Sequence, residues 1–326
     1  MSNLEKDPRE QSCGAQPAAE TVTELLEPRK VWLGKTTQVR RLLPHKERRM
    51  VGAWCFVDHY GPDDVRELPG QHRGMWVPPH PHTSLQTVSW LFDGEVLHRD
   101  SVGSEALVRP GELNIMTAGP GIAHSEESPG VRAPMLHGAQ LWVALPDGAL
   151  DTVEPSFDQY ADLPRLDLDG VRGTVMLGEV AGVVSPATTY TPLVGADLSI
   201  DPAGMVPLTT AFEYAVLVVD GPVRVEQQSA DRGEMVYLGQ GRESFGLSGP
   251  GRVLLLGGEP FAEEIVMWWN FIGRSHDEIV AARNEWMAGL SGGSTDRFGV
   301  VHGFDGDPLP APEMPHTQLK PRGRTR

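Results

Sequence analysis

The chain has 326 residues, which at about 150 residues per domain predicts two domains. It carries 28 Lys and Arg against 44 Asp and Glu, and a net charge of −16 works against binding to nucleic-acid phosphates. No run reaches the roughly 18 apolar residues of a membrane-spanning helix, and the N-terminus lacks the basic and apolar regions of a signal peptide. We therefore expect a soluble, cytoplasmic protein with no direct nucleic-acid or membrane partner.

The chain contains two cysteines, Cys13 in a polar leader and Cys55 in an apolar run. Two cysteines are too few for a disulfide framework or for a zinc site built from thiolates. Any metal in this protein must therefore be held by histidine and carboxylate side chains.

Glycine and proline, at 37 and 28 residues, are spread between short apolar runs along the chain. This distribution is typical of an all-β protein with many turns. The predicted strands cover residues 51–58, 86–92, 94–100, 113–118, 138–145, 174–177, 196–200, 212–219, 223–227, 234–238 and 252–257. Their spacing suits sandwiches or barrels.

Composition also divides the chain. We expect a disordered leader, a first β-domain, an acidic and Pro-rich linker, a second β-domain and a flexible tail, over residues 1–28, 29–146, 147–170, 171–290 and 291–326. A Gly turn between two strands, followed by a Gly-Glu pair that opens another strand, occurs about once in each half. We take this shared rhythm as support for a duplicated small barrel.

One helix is predicted over residues 275–290. Ser275 and Glu278 form a capping box. The stripe that follows at helical spacing comprises Ile279, Val280, Arg283, Trp286, Met287 and Leu290. We expect this amphipathic helix to cover a barrel face. The alternative, a nucleic-acid recognition helix, is disfavoured by Glu278 and Glu285.

The eleven histidines are unevenly distributed, and none lies between residues 138 and 275. In a duplicated barrel, only the first copy can therefore build an imidazole metal site. The second copy would be structural or would offer a partner surface.

Two short motifs in the first half point to such a site. His80 and His82 flank one proline, and in an extended segment side chains i and i+2 point to the same face. His124 and Glu126 repeat this spacing with one imidazole and one carboxylate. A lone HxH motif is usually a solvated loop, but the two motifs together predict a three-His, one-carboxylate shell. Such ligands suit iron, manganese, nickel, copper or zinc more than magnesium or calcium.

At these residues the sequence resembles the pirin family of the cupin superfamily. The resemblance covers roughly residues 30–290 and is carried by the stretches PPHPHTSLQTVSWLFDGEVLHRDSVGS, RPGELNIMTAGPGIAHSEE, HGAQLWVALP and GGEPFAEEIV. It implies a tandem bicupin of two antiparallel β-barrels, with a metal-binding N-terminal cupin, a C-terminal cupin without metal and a C-terminal helix. The implied ligands are His80, His82, His124 and Glu126.

The chain departs from the usual cupin pattern at two positions. Gln86 stands where the first cupin motif has a ligating Glu, a position that is not a ligand in pirins. Ser84 stands near the HxH motif where many members have Gly, which is expected to alter the loop beside the pocket.

Other residues near the motifs have two readings each. His98 and Asp100 would either orient ligands through hydrogen bonds or form a solvated strand end. Four further residues would either line an aromatic pocket or belong to the core: Met75, Trp76, Trp90 and Met116. Asp58 is expected to fix a loop.

The resemblance implies two functions, which the sequence does not separate. One is quercetin 2,3-dioxygenase-type cleavage of a flavonol, with Glu126 as the base, using a divalent metal for which Fe(II) is preferred over Mn, Ni, Cu or Zn. The other is a non-catalytic, redox- or metal-dependent regulator. Its partner would be a protein such as an enzyme of central or fatty-acid metabolism, for example a dehydrogenase.

Overall fold

The computed structural model describes residues 11–13, 22–33, 37–66, 74–322 and 324–325. The strands that begin in the first half are β1 Gln11–Cys13, β2 Thr23–Leu26, β3 Arg29–Leu33, β4 Thr37–Leu43, β5 Trp54–Asp64, β6 Trp76–His82, β7 Leu85–Asp93, β8 Val96–Asp100, β9 Glu105–Val108, β10 Leu113–Thr117, β11 Ile122–Glu127, β12 Met135–Ala144 and β13 Ser156–Tyr160.

The strands of the second half are β14 Arg165–Leu168, β15 Val171–Leu177, β16 Glu179–Val180, β17 Val183–Val184, β18 Leu193–Ile200, β19 Ala203–Pro207, β20 Glu213–Asp220, β21 Val223–Val225, β22 Gln228–Ala230, β23 Met235–Leu238, β24 Ser244–Ser248, β25 Gly251–Gly258, β26 Ile265–Trp268 and β27 Phe271–Gly273. The helices are α1 Asp147–Leu150 and α2 His276–Leu290. In this described part of the chain, neither helix is long and apolar enough to cross a membrane.

Each half builds one seven-stranded and one four-stranded sheet. In the first half the strand orders are β13-β10-β7-β12-β5-β4-β3 and β6-β11-β8-β9; in the second they are β14-β15-β18-β25-β20-β23-β2 and β19-β24-β21-β22. The seven-stranded sheet of the second half repeats that of the first when it is read from the opposite edge, and the four-stranded sheet repeats in the same order. The predicted all-β fold with two antiparallel barrels is therefore confirmed.

The barrels exchange their edge strands. β2, from the segment predicted as a leader, pairs with β23 of the second barrel, whereas β13, from the predicted linker, pairs with β10 of the first. The linker also supplies β14 to the second barrel. Most of the predicted leader lies outside the described residues, but β1 pairs with β26. The segments on either side of the first barrel thus tie the two halves together.

The two large sheets share one hydrophobic core. Along β20, Leu217 packs into this shared core while its neighbours Val216 and Val218 face the interior of the second barrel. Strands buried on both faces read as continuous apolar runs, which is why this segment lacks polar alternation. The buried Trp54 adds a polar link between the barrels, because its Nε1 lies 3.2 Å from the carbonyl oxygens of both Val194 and Gly257.

Helix α2 begins as predicted. The Ser275 hydroxyl accepts a hydrogen bond from the Glu278 amide at 3.2 Å, and the Glu278 carboxylate accepts one from the Arg274 amide at 2.8 Å. Ile279 and Trp286 of the predicted stripe are buried against β26 and β27, whereas Leu290 remains exposed. The helix therefore covers the hairpin at the end of the second half.

The segment predicted as a flexible tail packs on the protein. Its buried side chains include Phe298 and Leu319, which join the core beneath α2. The backbone of Gly121 permits this approach, since a Cβ there would lie 2.8 Å from Cγ of Arg297. Proline and glycine content predicted a loop, but the apolar residues scattered among them provide enough burial to hold the segment in place.

The end of the chain also forms a buried ion pair. Arg324 contacts Glu213, and both side chains are almost completely inaccessible to solvent. The Glu213 carboxylate accepts further hydrogen bonds from the Tyr237 hydroxyl at 2.7 Å and the Gly52 amide at 2.8 Å. This cluster joins residues from both barrels to the C-terminus.

Replacing Arg324 with alanine would leave the Glu213 carboxylate buried without its cation. We expect the free energy of unfolding to fall by roughly 3–5 kcal/mol, the usual effect of breaking a buried ion pair from one side. Urea denaturation of both proteins measures this difference. The exposed Gln318→Ala exchange in the same segment should change stability by less than about 0.5 kcal/mol. Equal stabilities for Arg324→Ala and wild type would show that the ion pair does not hold the segment.

Candidate metal centre

Two neighbouring strands carry the HxH and HSE motifs. β6 and β11 pair antiparallel, so that His124 lies opposite His80 and Ile122 lies opposite His82. Because side chains alternate along a strand, the three histidines share the inner face of the four-stranded sheet. Pro79 and Ala123, which directly precede His80 and His124, point to its outer face.

The three imidazoles converge on one point. Each of His80, His82 and His124 offers a ring nitrogen, and these nitrogens all lie within 4.8 Å of one another. The Nε2 atoms of His82 and His124 are 3.1 Å apart. All three side chains are fully buried. Among the described residues this is the one cluster of three or more side chains with the spacing to hold a metal ion.

The opposite ring nitrogens are held by hydrogen bonds to the backbone. His80 Nδ1 lies 2.7 Å from the carbonyl oxygen of Pro78, and His82 Nδ1 lies 3.0 Å from that of Asn270. A carbonyl only accepts hydrogen bonds, so each Nδ1 must carry the proton. Each Nε2 is then left with a lone pair aimed at the cluster, which is the form that binds a metal.

His124 is held by a side chain instead. Its Nδ1 lies 3.4 Å from Nδ1 of His98, whose Nε2 lies 3.1 Å from a carboxylate oxygen of Asp100. The carboxylate fixes the His98 proton on Nε2, which leaves His98 Nδ1 to accept from His124. The observed contacts therefore give all three clustered histidines the same tautomer.

Burial keeps these imidazoles uncharged. Desolvation lowers the pKa of His82 to about 3. It also holds the pKa values of His80 and His124 well below their usual range, with further lowering by the neighbouring imidazoles. Burial alone would raise the pKa of Asp100, but hydrogen bonds from His98 and from the Ser104 amide outweigh it and lower that pKa. The result is a neutral three-nitrogen donor set beside an ionised carboxylate, which fits a divalent transition metal.

Glu126 lies near this cluster but outside the group of converging ligand atoms. It follows His124 by two residues on β11 and is buried. It lies opposite His98 of the neighbouring strand β8. The pKa of Tyr60 is held well above its usual value, first by burial and second by the negative charge of Glu126. Its role as a fourth ligand stays a prediction.

The two departures from the usual cupin pattern have structural counterparts. Gln86 is buried and donates a hydrogen bond to the Thr117 hydroxyl at 3.0 Å. Ser84 has a positive φ of 57°, a conformation in which glycine is favoured. Glycine would adopt this backbone conformation with less strain than Ser84 does.

The remaining candidates separate into core and surface. Met75, Met116 and Trp90 are buried, and the Trp90 indole donates to Asp197 of the second barrel at 2.8 Å. Trp76 is 37% exposed and its ring lies 4.6 Å from that of Phe304. They do not form one aromatic pocket. Asp58 makes a buried two-point ion pair with Arg41 on the neighbouring strand β4.

The second barrel carries apolar side chains where the first carries its histidines. β19 and β24 occupy the places of β6 and β11, and there Val206 lies opposite Phe245. Both are fully buried, as is Leu247 two residues further along β24. The counterpart of the metal cluster is thus a filled hydrophobic interior.

Sequence reasoning missed two features near these strands. The first is the carbonyl of Asn270, which orients His82 from a position 188 residues further along the chain. A backbone carbonyl has no residue-type signal, so no motif could have identified it. The second is a buried pair, His59 and His137, whose Nε2 atoms are 2.8 Å apart.

The comparisons with known proteins agree with this architecture. Residues 36–143 match the Pirin family, and residues 195–292 match the Pirin C-terminal cupin domain. A Pseudomonas aeruginosa protein provisionally named quercetin 2,3-dioxygenase is 46% identical over 288 residues, which are 87% of this chain and 88% of the relative. A pirin-like protein of Caulobacter vibrioides is 37% identical, covering 77% of this chain and 88% of its own length.

A solved structure shows the same fold. The crystal structure of quercetin 2,3-dioxygenase from Acinetobacter baumannii superposes with a TM-score of 0.83 at 38% identity, covering 91% of this chain and 98% of that one. Together with the geometry, these relatives support a divalent-metal site at the three histidines.

We expect the protein to bind one divalent metal ion per chain. His82→Ala should weaken that binding by more than about 100-fold, because the variant loses a predicted ligand together with its hydrogen-bonded support. Metal content after dialysis, together with a Ni²⁺ titration by calorimetry, measures this. His302→Ala, which alters an exposed histidine, serves as the control and should bind like wild type. Stoichiometric binding by His82→Ala would place the metal elsewhere.

The pair of His59 and His137 predicts a pH dependence of stability. Burial and the nearby guanidinium groups of Arg232, Arg252 and Arg40 lower the pKa of His137 to about 4. Between pH 6.5 and about 4, the unfolded chain therefore binds a proton at this residue that the folded protein does not. Stability should fall as the pH falls through this window.

Urea denaturation of metal-free protein at several pH values tests this prediction. His137→Gln should lose less stability than wild type between pH 6.5 and 4, by at most about 1.4 kcal/mol per pH unit and by less where solvent screens the group. The carboxylates titrate in the same way in both proteins, so their contribution cancels in the difference between the two unfolding free energies. If the free energies of unfolding of both proteins fell equally with pH, His137 would not be the group that titrates.

Proposed function

We propose that this chain, which belongs to the pirin family, uses a single Fe(II) ion to catalyse the oxygen-dependent ring opening of a flavonol, as a quercetin 2,3-dioxygenase does. The observation that carries the proposal is the group of three neutral imidazoles whose Nε2 atoms face one buried point. The names of relatives at 46% and 38% identity support the choice of substrate class.

The proposed ligands are His80, His82, His124 and Glu126. Imidazole and carboxylate donors suit several transition metals, and we assign Fe(II) in preference to Mn, Ni, Cu or Zn because histidine–carboxylate sites with open positions are typical of non-haem Fe(II) oxygenases. When bound, the metal supplies Lewis acidity toward the flavonol oxygens and redox chemistry toward O₂. The protein supplies the geometry, the dry surroundings and the movement of the proton.

Glu126 is the group we assign to that proton. The proposal is supported by the position of Glu126 on β11, two residues from the proposed ligand His124, and by the burial of its side chain. There it would accept the proton of the flavonol 3-hydroxyl, which raises the electron density of the ring that O₂ attacks. Ring opening then incorporates both oxygen atoms and releases carbon monoxide.

His98 and Asp100 act in this proposal as positioning residues. Asp100 is fixed by hydrogen bonds from the Val102 and Ser104 amides at 3.1 and 2.9 Å, and it in turn holds His98. His98 contacts His124 and so sets which of its nitrogens carries the proton. Loss of this series of hydrogen bonds would weaken the metal site without removing a ligand.

The decisive variant is Glu126→Gln, which keeps the size of the side chain but removes the base. We expect flavonol turnover by the Fe(II)-loaded protein to fall by about 100-fold or more. Oxygen uptake and carbon monoxide release with quercetin measure this, with metal content determined on the same samples. Glu127→Gln is the matched control, because the neighbouring Glu127 pairs with Arg99 and belongs to the other face of the strand.

Each outcome separates the hypotheses. Full activity in Glu126→Gln would remove the base role while leaving the dioxygenase intact. Absence of flavonol turnover with each of Fe, Mn, Ni and Cu would reject the dioxygenase. Metal-dependent capture of one metabolic enzyme, lost in His80→Ala, would then favour the regulator.

A further inference from the structure

We infer that the outer face of the four-stranded sheet carries a second small-molecule site, which takes a neutral, planar aromatic molecule of two or three rings. This site lies between helix α2, the C-terminal segment 294–309, here called the strap, and strands β6 and β11. It is separate from the metal centre and from the proposed flavonol reaction.

The space between these elements is a cavity of about 550 Å³. This volume falls within the usual range for sites that bind small organic molecules, about 300–1,000 Å³. The strap is held in place on both sides of the cavity. Arg297 donates to the carbonyl of Pro120 at 2.9 Å, and the Leu309 amide donates to the carbonyl of Pro79 at 2.8 Å.

The walls of the cavity are apolar and aromatic. The rings of Trp286 and Phe298 lie 5.8 Å apart and nearly perpendicular, at 86°, and both side chains are buried. The Trp286 indole N–H already donates to the carbonyl of Leu309 at 2.8 Å, so it does not demand a polar group from a ligand. Two crossed aromatic rings facing Pro79 and Ala123 favour a flat ring system that stacks on one ring and meets the edge of the other.

The charges at the rim argue for a neutral ligand. The Arg297 guanidinium lies 3.2 Å from a carboxylate oxygen of Glu285, so these two charges compensate each other. The remaining charged group that lines the cavity is the exposed Asp296. A bound anion would meet no uncompensated cation and would be repelled by this carboxylate, whereas a neutral molecule meets no such penalty.

The site is next to the metal strands but does not include the metal ligands. Pro79 and Ala123 precede His80 and His124 in sequence and point to the other face of the same sheet. A molecule bound beneath the strap would therefore be separated from the histidines by the backbone of the sheet. Its binding should not depend on metal.

The test uses N-phenyl-1-naphthylamine, a neutral aromatic fluorophore, with the full-length protein. We expect saturable binding, seen as increased probe fluorescence, in both metal-loaded and metal-free protein. Ala288→Trp places a large side chain into the cavity from α2 and should raise the dissociation constant about 10-fold or more. Ala281→Trp, at an exposed position of the same helix outside the cavity lining, should bind like wild type.

Three results would overturn the inference. They are absence of saturable binding, equal affinities in all three proteins, and loss of binding in His82→Ala, which would move the probe to the metal centre. A failed flavonol assay would leave this result untouched, because the fluorescence measurement involves no turnover. Circular dichroism of the two tryptophan variants confirms that they are folded.

Discussion

Three imidazoles buried side by side must be neutral, and each must have a partner for the nitrogen that carries the proton. An unsatisfied buried donor costs roughly 1–3 kcal/mol, and a buried unpaired charge costs more. The protein meets both requirements at once, because each Nδ1 finds an acceptor and the Nε2 side of each ring faces the cluster. The positions of His80, His82 and His124 are therefore determined as much by their acceptors as by their strands.

Those acceptors come from three separate parts of the chain. Pro78 lies on the strand of the histidine it holds, His98 lies on β8, and Asn270 lies in the turn between β26 and β27 near the end of the second half. The same hairpin reaches the first barrel at Thr83, whose hydroxyl donates to the carbonyl of Ile272 at 2.8 Å. The hydrogen bonds that orient the three histidines therefore come from the first barrel and from the hairpin that follows the second barrel.

Residue types that act through side chains at fixed spacing were predictable from the sequence. The convergence of His80, His82 and His124 required only the two-residue period of a strand, whereas the role of Glu126 stays a prediction. The α2 N-terminus required only Ser275 and Glu278. Features that depend on the backbone or on distant pairing were not. The carbonyl of Asn270 leaves no trace in composition, and the short strand β2 has no neighbour in sequence that reveals its partner in the other barrel. The C-terminal segment was missed because Pro and Gly dominate its composition, while its few apolar residues decide where it packs.

The repeated strand order lets the two barrels be compared position by position. Where the first barrel buries imidazoles, the second buries Val206, Phe245 and Leu247, each of which contributes about 1.5–3 kcal/mol through removal from water. The first barrel gives up that contribution and places polar rings in its interior, which only hydrogen bonds and a bound ion can offset. A ligand that binds only the folded state stabilises it in proportion to its affinity, so metal binding and folding of the first barrel are coupled. In the described part of the chain the second barrel buries no such polar cluster, and it packs against the first through the shared core, while the β26–β27 hairpin that follows it supplies the Asn270 carbonyl to His82.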